Sequence, residues 1–269
     1  MQHDMRTLAP SAAALLEVRP LAGAEVGPIP EVVAHLEPVQ RLAMVVIDAF
    51  GLATWDYARD RCPMVNALAA DHLLIIHSVL PAVTPVNFTT MVTGASPRAH
   101  SIRARTDRLE VETLFDILRA EGRPTAAVGR ALSTVGIPLA PFADVRGVAE
   151  SNEDREVLDL GLKILRENEP DYLLLQFLAV DAASHRHGPF SPGNAQAVTE
   201  TDARLRALIG QLAAREYTLL LLADHGQHTA SPEEQRPGHI GTHDGTVEED
   251  VRVPLIWASP AELREVAQE

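Results

Sequence analysis

The chain has 269 residues, 46% of them hydrophobic and 4% aromatic, enough for a substantial core in one large α/β domain or two small ones. A formal charge of −14 excludes a basic face for a nucleic-acid polymer, though not a small phosphate compound at a site whose field is set by bound metals. Its cations are 22 arginines and the single lysine Lys163, which nearly excludes lysine-dependent P-loop or Schiff-base chemistry, and the lone Cys62 excludes an internal disulfide.

The opening Met1-Gln2-His3-Asp4-Met5-Arg6 lacks the charged start and apolar core of a signal peptide. No apolar stretch reaches the roughly 18–20 residues needed to cross a bilayer, so the expectation is a soluble, cytoplasmic protein. Residues 1–40 carry Pro10, Pro20, Pro28, Pro30 and Pro38, which break long elements. They read as an N-terminal arm packed on the core, with a short helix around 12–17. Residues 41–269 read as a single domain.

From 41 onward, strand and helix patterns alternate. A strand over 42–48 leads into helical sequence reaching about 70, and a strand over 73–80 leads into the segment 81–94. A helix over 112–121 precedes a short strand over 125–129 and a Pro/Gly-broken region over 137–150. Next come a helix over 152–167 and a strand over 172–180. Leu205, Leu208 and Leu212, spaced by three and four, mark a long helix over 193–215 with one buried face. A strand over 217–223, an irregular loop over 226–250 and a strand over 251–258 follow. Ser259-Pro260 then opens a last helix. Such alternation implies an α/β fold whose mainly parallel central sheet has helices on both faces.

Three of the apolar runs end in an aspartate: Leu42 to Asp48, Tyr172 to Asp181 and Tyr217 to Asp224. Long branched runs suit strands buried on both faces, and open α/β sheets bind ligands outside the carboxyl ends of such strands. Three converging carboxylates repel one another unless a cation lies between them. Histidines follow closely in Asp181-Ala182-Ala183-Ser184-His185 and Asp224-His225-Gly226. Taken singly, these motifs also fit a solvated loop pair and an ordinary strand-to-loop turn; together they point to a metal site. The segment Val83-Thr84-Pro85-Val86-Asn87 to Gly94 reads as a helix capped by Thr84, with Pro85 first and Gly94 closing it. Its amino terminus would favour a phosphoryl oxygen, and Asn87 could add a neutral donor. Trp55, Tyr57 and Phe190 read as core or rim residues, with a leaving-group pocket as the alternative.

These residues, with Gly241-Thr242-His243 and with Met91-Val92-Thr93-Gly94, Pro97 and His100, resemble the alkaline phosphatase superfamily, closest to its nucleotide pyrophosphatase/phosphodiesterase branch. The resemblance runs from about 41 to 258. It departs at Val86 and Phe88, where the branch commonly has proline and histidine, and at Asp244, where glycine is usual. It implies an alkaline-phosphatase-like fold with two divalent metal ions, zinc or alternatively manganese, at the carboxyl edge. Asp181, His185 and His243 would hold the first ion. Asp48, Asp224 and His225 would hold the second, with Thr84 oxygen as a further ligand. Mixed imidazole and carboxylate ligands suit zinc independently of the resemblance.

Thr84 would be the nucleophile of a phosphodiesterase or nucleotide pyrophosphatase, with Asn87 and the N–H groups of Thr84 and Val86 stabilising the equatorial oxygens. The substrate would be a small phosphoester such as a nucleotide; no membrane or nucleic-acid partner is implied. A phosphomonoesterase or phosphomutase on the same metal site is the alternative. Arg103, Arg105 and Arg130 are the cations that could reach a monoester.

Overall fold

The computed structural model describes residues 3–268. Its strands, in chain order, are β1 (Leu42–Ile47), β2 (Leu73–His77), β3 (Thr125–Arg130), β4 (Val145–Ala149), β5 (Tyr172–Phe177), β6 (Thr218–Leu222), β7 (His228–Thr229), β8 (Gly241–Thr242) and β9 (Arg252–Ala258). Seven of them form one sheet in the order β2-β9-β6-β1-β5-β3-β4, while β7 and β8 pair separately. β1 lies between β5 and β6, parallel to both, with Leu42 level with Tyr172 and Thr218. Every residue of these three strands is buried, which is why they read as continuous apolar runs without alternation. β9 runs antiparallel to β6 and β2, so the sheet is mainly parallel.

The helices are α1 (Leu8–Leu15), α2 (Pro30–Leu36), α3 (Leu52–Tyr57), α4 (Pro63–Leu68), α5 (Thr84–Thr93), α6 (Pro97–His100), α7 (Leu114–Ala120), α8 (Asp154–Glu167), α9 (Ala179–His187), α10 (Pro192–Ala213), α11 (Glu248–Val251) and α12 (Pro260–Gln268). Leu205, Leu208 and Leu212 form the buried stripe of α10. In the first forty residues α1 starts earlier than its expected range. Pro10 is tolerated in its first turn, where backbone N–H groups have no helical acceptor. Leu8, Leu15 and Val32 bury α1 and α2 in the main core. No helix among the described residues is long and apolar enough to cross a membrane.

Two departures from the sequence expectation bear on the site. β5 ends at Phe177, not at 180, because the buried Asp154 carboxylate captures the next two N–H groups, Leu178 at 2.9 Å and Ala179 at 2.7 Å. Asp181 therefore stands in the first turn of α9, and His185 follows one turn later on the same face. The region expected to be irregular after 137 contains β4, an edge strand whose Gly147 packs against Val128 and Ile164 without room for a Cβ.

Candidate metal centre and nucleophile

Asp48 and Asp224 leave the carboxyl ends of the adjacent strands β1 and β6, so their carboxylates meet. Both, and His225, are wholly buried. Asp48 Oδ2 accepts from Gln176 Nε2 at 2.6 Å, and Asp224 Oδ1 accepts from the Ala49 N–H at 3.2 Å. Ala49 adopts a φ of 60°, a costly conformation for a residue with a Cβ; the turn it makes aims its N–H at Asp224. The other two oxygens, Asp48 Oδ1 and Asp224 Oδ2, have no hydrogen-bond partner and lie 3.5 and 3.3 Å from His225 Nε2. Thr84 Oγ1 is 3.1 Å from the same nitrogen.

Asp181, His185 and His243 gather beside this group. Asp181 Oδ1 lies 3.3 Å from His185 Nε2 and 4.0 Å from His243 Nε2. The His225 and His243 rings stack with centroids 3.9 Å apart. Each histidine Nδ1 meets a backbone carbonyl: Gly241 for His185 at 2.9 Å, Gly226 for His225 at 3.0 Å and Ala82 for His243 at 2.7 Å. A carbonyl only accepts, so each Nδ1 carries the proton and each neutral ring turns a bare Nε2 lone pair toward the carboxylates.

Lone pairs facing unpartnered carboxylate oxygens in a buried space are unfavourable without a cation, and the donor set fits a divalent ion. Among the described residues three groups of ligand atoms are close enough to share an ion: the buried Asp48/Asp224/His225, the half-buried Asp181/His225/His243 beside it, and His35/His72/Glu262. His225 belongs to the first two but has one free nitrogen, so it can serve a single ion. His185, already against Asp181, completes the other set.

Burial first, and then the neighbouring Asp224 and Asp181 charges, push Asp48 well above the usual carboxylate range. Burial likewise raises Asp224 to about 7. Burial also pushes Asp181 up, but the His185 hydrogen bond and the neighbouring imidazole charges outweigh it and bring it down to about 2. Burial lowers His243 to about 4 and lowers His225 as well; burial also pulls His185 down, but the Asp181 hydrogen bond and charge outweigh it and raise it.

Thr84 is the first residue of α5 and is half-buried; the N-cap is Val83, without a side-chain bond, and Gly94 closes the helix with a φ of 69°. The helix thus starts one residue earlier than a Thr84 cap requires, and the Thr84 hydroxyl is left for His225. The Val86 N–H is committed to Val83 O at 3.1 Å, which removes it as a free donor to the site. Asn87 is wholly buried but its amide faces the chain: Oδ1 accepts from Val79 N at 2.8 Å, and Nδ2 donates to Val79 O and Val83 O at 3.3 Å. It braces the segment that carries Thr84, and these bonds leave it no donor aimed at a phosphoryl oxygen.

Among the candidate arginines, Arg130 is locked to buried Asp154 at 2.7 Å and to Asn152. Arg105 donates to Leu132 O at 2.6 Å, and Arg103 is exposed. Asp244 accepts from Thr246 N at 2.9 Å and shapes its own turn. Cys62 is buried with its thiol pushed up to about 12 by burial, and Trp55 is a core residue bonded to Asn66.

Three site residues escaped the sequence reading. Gln176 holds Asp48, and Gln227 Nε2 holds Asp181 Oδ1 at 2.7 Å. Gln176 had a visible signal, a carboxamide inside a wholly apolar strand. Asp250 is the third: its buried carboxylate accepts from the N–H groups of Asp244 and Gly245 and from His228, steadying the turn after His243. Its partners are local in space but not in a readable motif.

The sheet order and the ligand cluster at its carboxyl edge define an alkaline-phosphatase-like α/β protein. Residues 42–261 match the Type I phosphodiesterase / nucleotide pyrophosphatase family, and the chain belongs to that family. It is 30% identical over 208 residues to the human GPI ethanolamine phosphate transferase 2 catalytic subunit, covering 71% of this chain and 20% of that protein. It is 24% identical over 262 residues to GPI ethanolamine phosphate transferase 2 of Yarrowia lipolytica, covering 86% of this chain and 28% of the relative. The chain thus spans between a fifth and three-tenths of these relatives.

Among solved structures, human ectonucleotide pyrophosphatase / phosphodiesterase 5 superposes with a TM-score of 0.65 at 16% identity, over 82% of this chain and 88% of that one. Phosphonoacetate hydrolase from Sinorhizobium meliloti 1021 does so with a TM-score of 0.59 at 19% identity, over 73% and 59%. The periplasmic domain of EcEptC from Escherichia coli, solved in complex with Zn, gives 0.52 at 13% identity, over 93% and 79%. At these identities the structural likeness defines the fold.

Proposed function

We propose that the protein hydrolyses a small phosphodiester through Thr84, with two divalent ions, preferably zinc, held by Asp181/His185/His243 and by Asp48/Asp224/His225. The observation that carries this reading is the buried cluster itself. Two orphaned carboxylate oxygens and three imidazole nitrogens with their protons fixed elsewhere converge within reach of one hydroxyl. When bound, such ions would lower the pKa of the Thr84 hydroxyl and neutralise charge on the phosphoryl group.

Thr84 Oγ1 forms a bond to phosphorus while the ester P–O bond on the opposite side breaks, leaving a phosphothreonine ester that water then cleaves. The positive end of α5 and the Thr84 N–H face the equatorial oxygens; Pro85 has no N–H to add. Asn87 keeps Thr84 in place through Val79 and Val83.

The names of the curated relatives support a second outcome on the same site, transfer of the phosphoryl group from Thr84 to an alcohol instead of water. Metal analysis of the purified protein, combined with hydrolysis of a panel of aryl mono- and diesters with and without added alcohol, tests both. Less than one equivalent of ion after loading with zinc or manganese would overturn the two-metal reading.

A further inference from the structure

Tyr57, Phe190 and Ile240 are 45%, 41% and 48% exposed, although each is large and apolar in body. Single exposed hydrophobic residues are ordinary, whereas a contiguous group beside a polar site marks a ligand contact. Two of the three touch, and the third is joined to them through Gly188. The Tyr57 and Phe190 rings meet edge to face with centroids 5.9 Å apart. Ile240 covers Gly188, where an added Cβ would stand 3.1 Å from its Cγ2, two residues before Phe190.

The group is also tied to the site. The Ile240 N–H donates to His185 O at 2.6 Å, and the His239 ring lies 5.1 Å from that of His185. The lip therefore borders the carboxyl end of α9, the helix that carries Asp181 and His185.

Its position fixes which part of a substrate it meets. In-line displacement expels the leaving oxygen on the side opposite the attacking one. Thr84 touches His225 of the Asp48/Asp224/His225 set, whereas the lip is joined to His185 of the other set. A leaving oxygen expelled toward the Asp181/His185 set would depart on the side of the lip, which is joined to His185.

We propose that Tyr57, Phe190 and Ile240 receive the leaving alcohol, and that the substrates are phosphoesters of an apolar alkyl or aryl alcohol. The inference rests on the reading of Thr84 as nucleophile: the Thr84 hydroxyl gives its proton to solvent, the Oγ–P bond forms, the P–O bond to the alcohol breaks, and the alkoxide takes a proton from solvent. Apart from the Tyr57 hydroxyl, the three side chains offer no hydrogen-bonding or cationic group, so they select against a polyphosphate leaving group.

The test uses methyl 4-alkylphenyl phosphates, ethyl to octyl, with the metal-loaded protein. The phenol pKa is constant along the series, so only apolar contact changes. For each added methylene, kcat/KM should rise up to about fourfold, the limit set by complete burial. Phe190→Ser and Ile240→Ser should flatten that rise, while Leu132→Ser, an exposed apolar residue after β3, should keep it. A flat series in the wild type overturns the lip while leaving Thr84 hydrolysis intact. Absence of turnover for every member counts against the hydrolase reading instead. In that case the affinity of the wild type and Phe190→Ser for 4-octylphenol, measured by calorimetry, decides. At least tenfold weaker binding by the variant supports the lip, and equal binding overturns it.

Discussion

Replacing Thr84 by alanine separates chemistry from structure at the one position where the two could be confused. The hydroxyl makes a single hydrogen bond, to His225 at 3.1 Å, and does not cap α5, since Val83 holds the N-cap position. Loss of one such bond costs about 0.5–1.5 kcal/mol, and for a chain of this size that lowers Tm by roughly 1–6 °C. Loss of a nucleophile in a covalent mechanism lowers kcat by a factor on the order of 10⁴ or more. Thr84→Ser, which keeps an oxygen at the same place, should recover most of that loss. Urea denaturation monitored by circular dichroism, beside initial rates on an aryl phosphodiester, reads both quantities. An alanine variant within tenfold of wild-type kcat would mean that water attacks directly. Destabilisation far beyond the stated range would mean that Thr84 is structural.

Three further outcomes follow from the site. Asp224 is raised to about 7 and Asp48 well above its usual range in the metal-free site, so the stability they contribute is present at low pH and lost as pH rises through those values. His185, also raised, acts in the same direction, whereas the depressed His225 and His243 affect only the region below about 6.5. The chelated protein should therefore unfold at lower urea at pH 8 than at pH 6.5, and zinc should remove the difference; equal midpoints without metal would refute the argument. Gln227→Ala deprives Asp181 of its 2.7 Å donor and should weaken metal binding about 10–100-fold by calorimetry, with unchanged affinity counting against a role for the carboxamide. Because Arg130 and Arg105 are engaged elsewhere, an aryl diester should exceed the matching monoester in kcat/KM; a tenfold advantage for the monoester would show that an arginine such as Arg103 reaches the phosphoryl group.

The central sheet was legible because β1, β5 and β6 are buried on both faces and so read as unbroken apolar runs. The aspartates at the ends of β1 and β6, with His225, were legible for the same reason, since the end of such a strand is where a ligand sits. Asp181 was found, but on the wrong element. The apolar residues Leu178 and Val180 extend the β5 pattern, and the helix begins there because Asp154, distant in sequence, takes the strand's next N–H groups. β4 stayed hidden because an edge strand with a central glycine has little pattern to show. The engagement of Asn87 with Val79 could not be read from spacing, because a carboxamide at the start of a helix serves loop and ligand equally well.

The loops that bear the proposed ligands also hold Thr84, which ties the two parts of the site together mechanically. Ala82, two residues before Thr84, donates to Asp244 O at 2.9 Å and accepts from His243 Nδ1 at 2.7 Å. Ser78, at the start of the same segment, donates to Asp224 O at 2.7 Å. Asp250 joins the two ligand loops, its backbone carbonyl accepting from Gly226 N at 2.8 Å and its carboxylate from Asp244 and Gly245. Gly226 has no alternative here, since a Cβ would fall 2.0 Å from Glu249 O. A shift of the His243 loop therefore moves the carbonyl that fixes its tautomer and the backbone that aims Thr84 at the same time. The geometry of the proposed ligands and the position of Thr84 are set by one network of hydrogen bonds, so damage to either should appear in both.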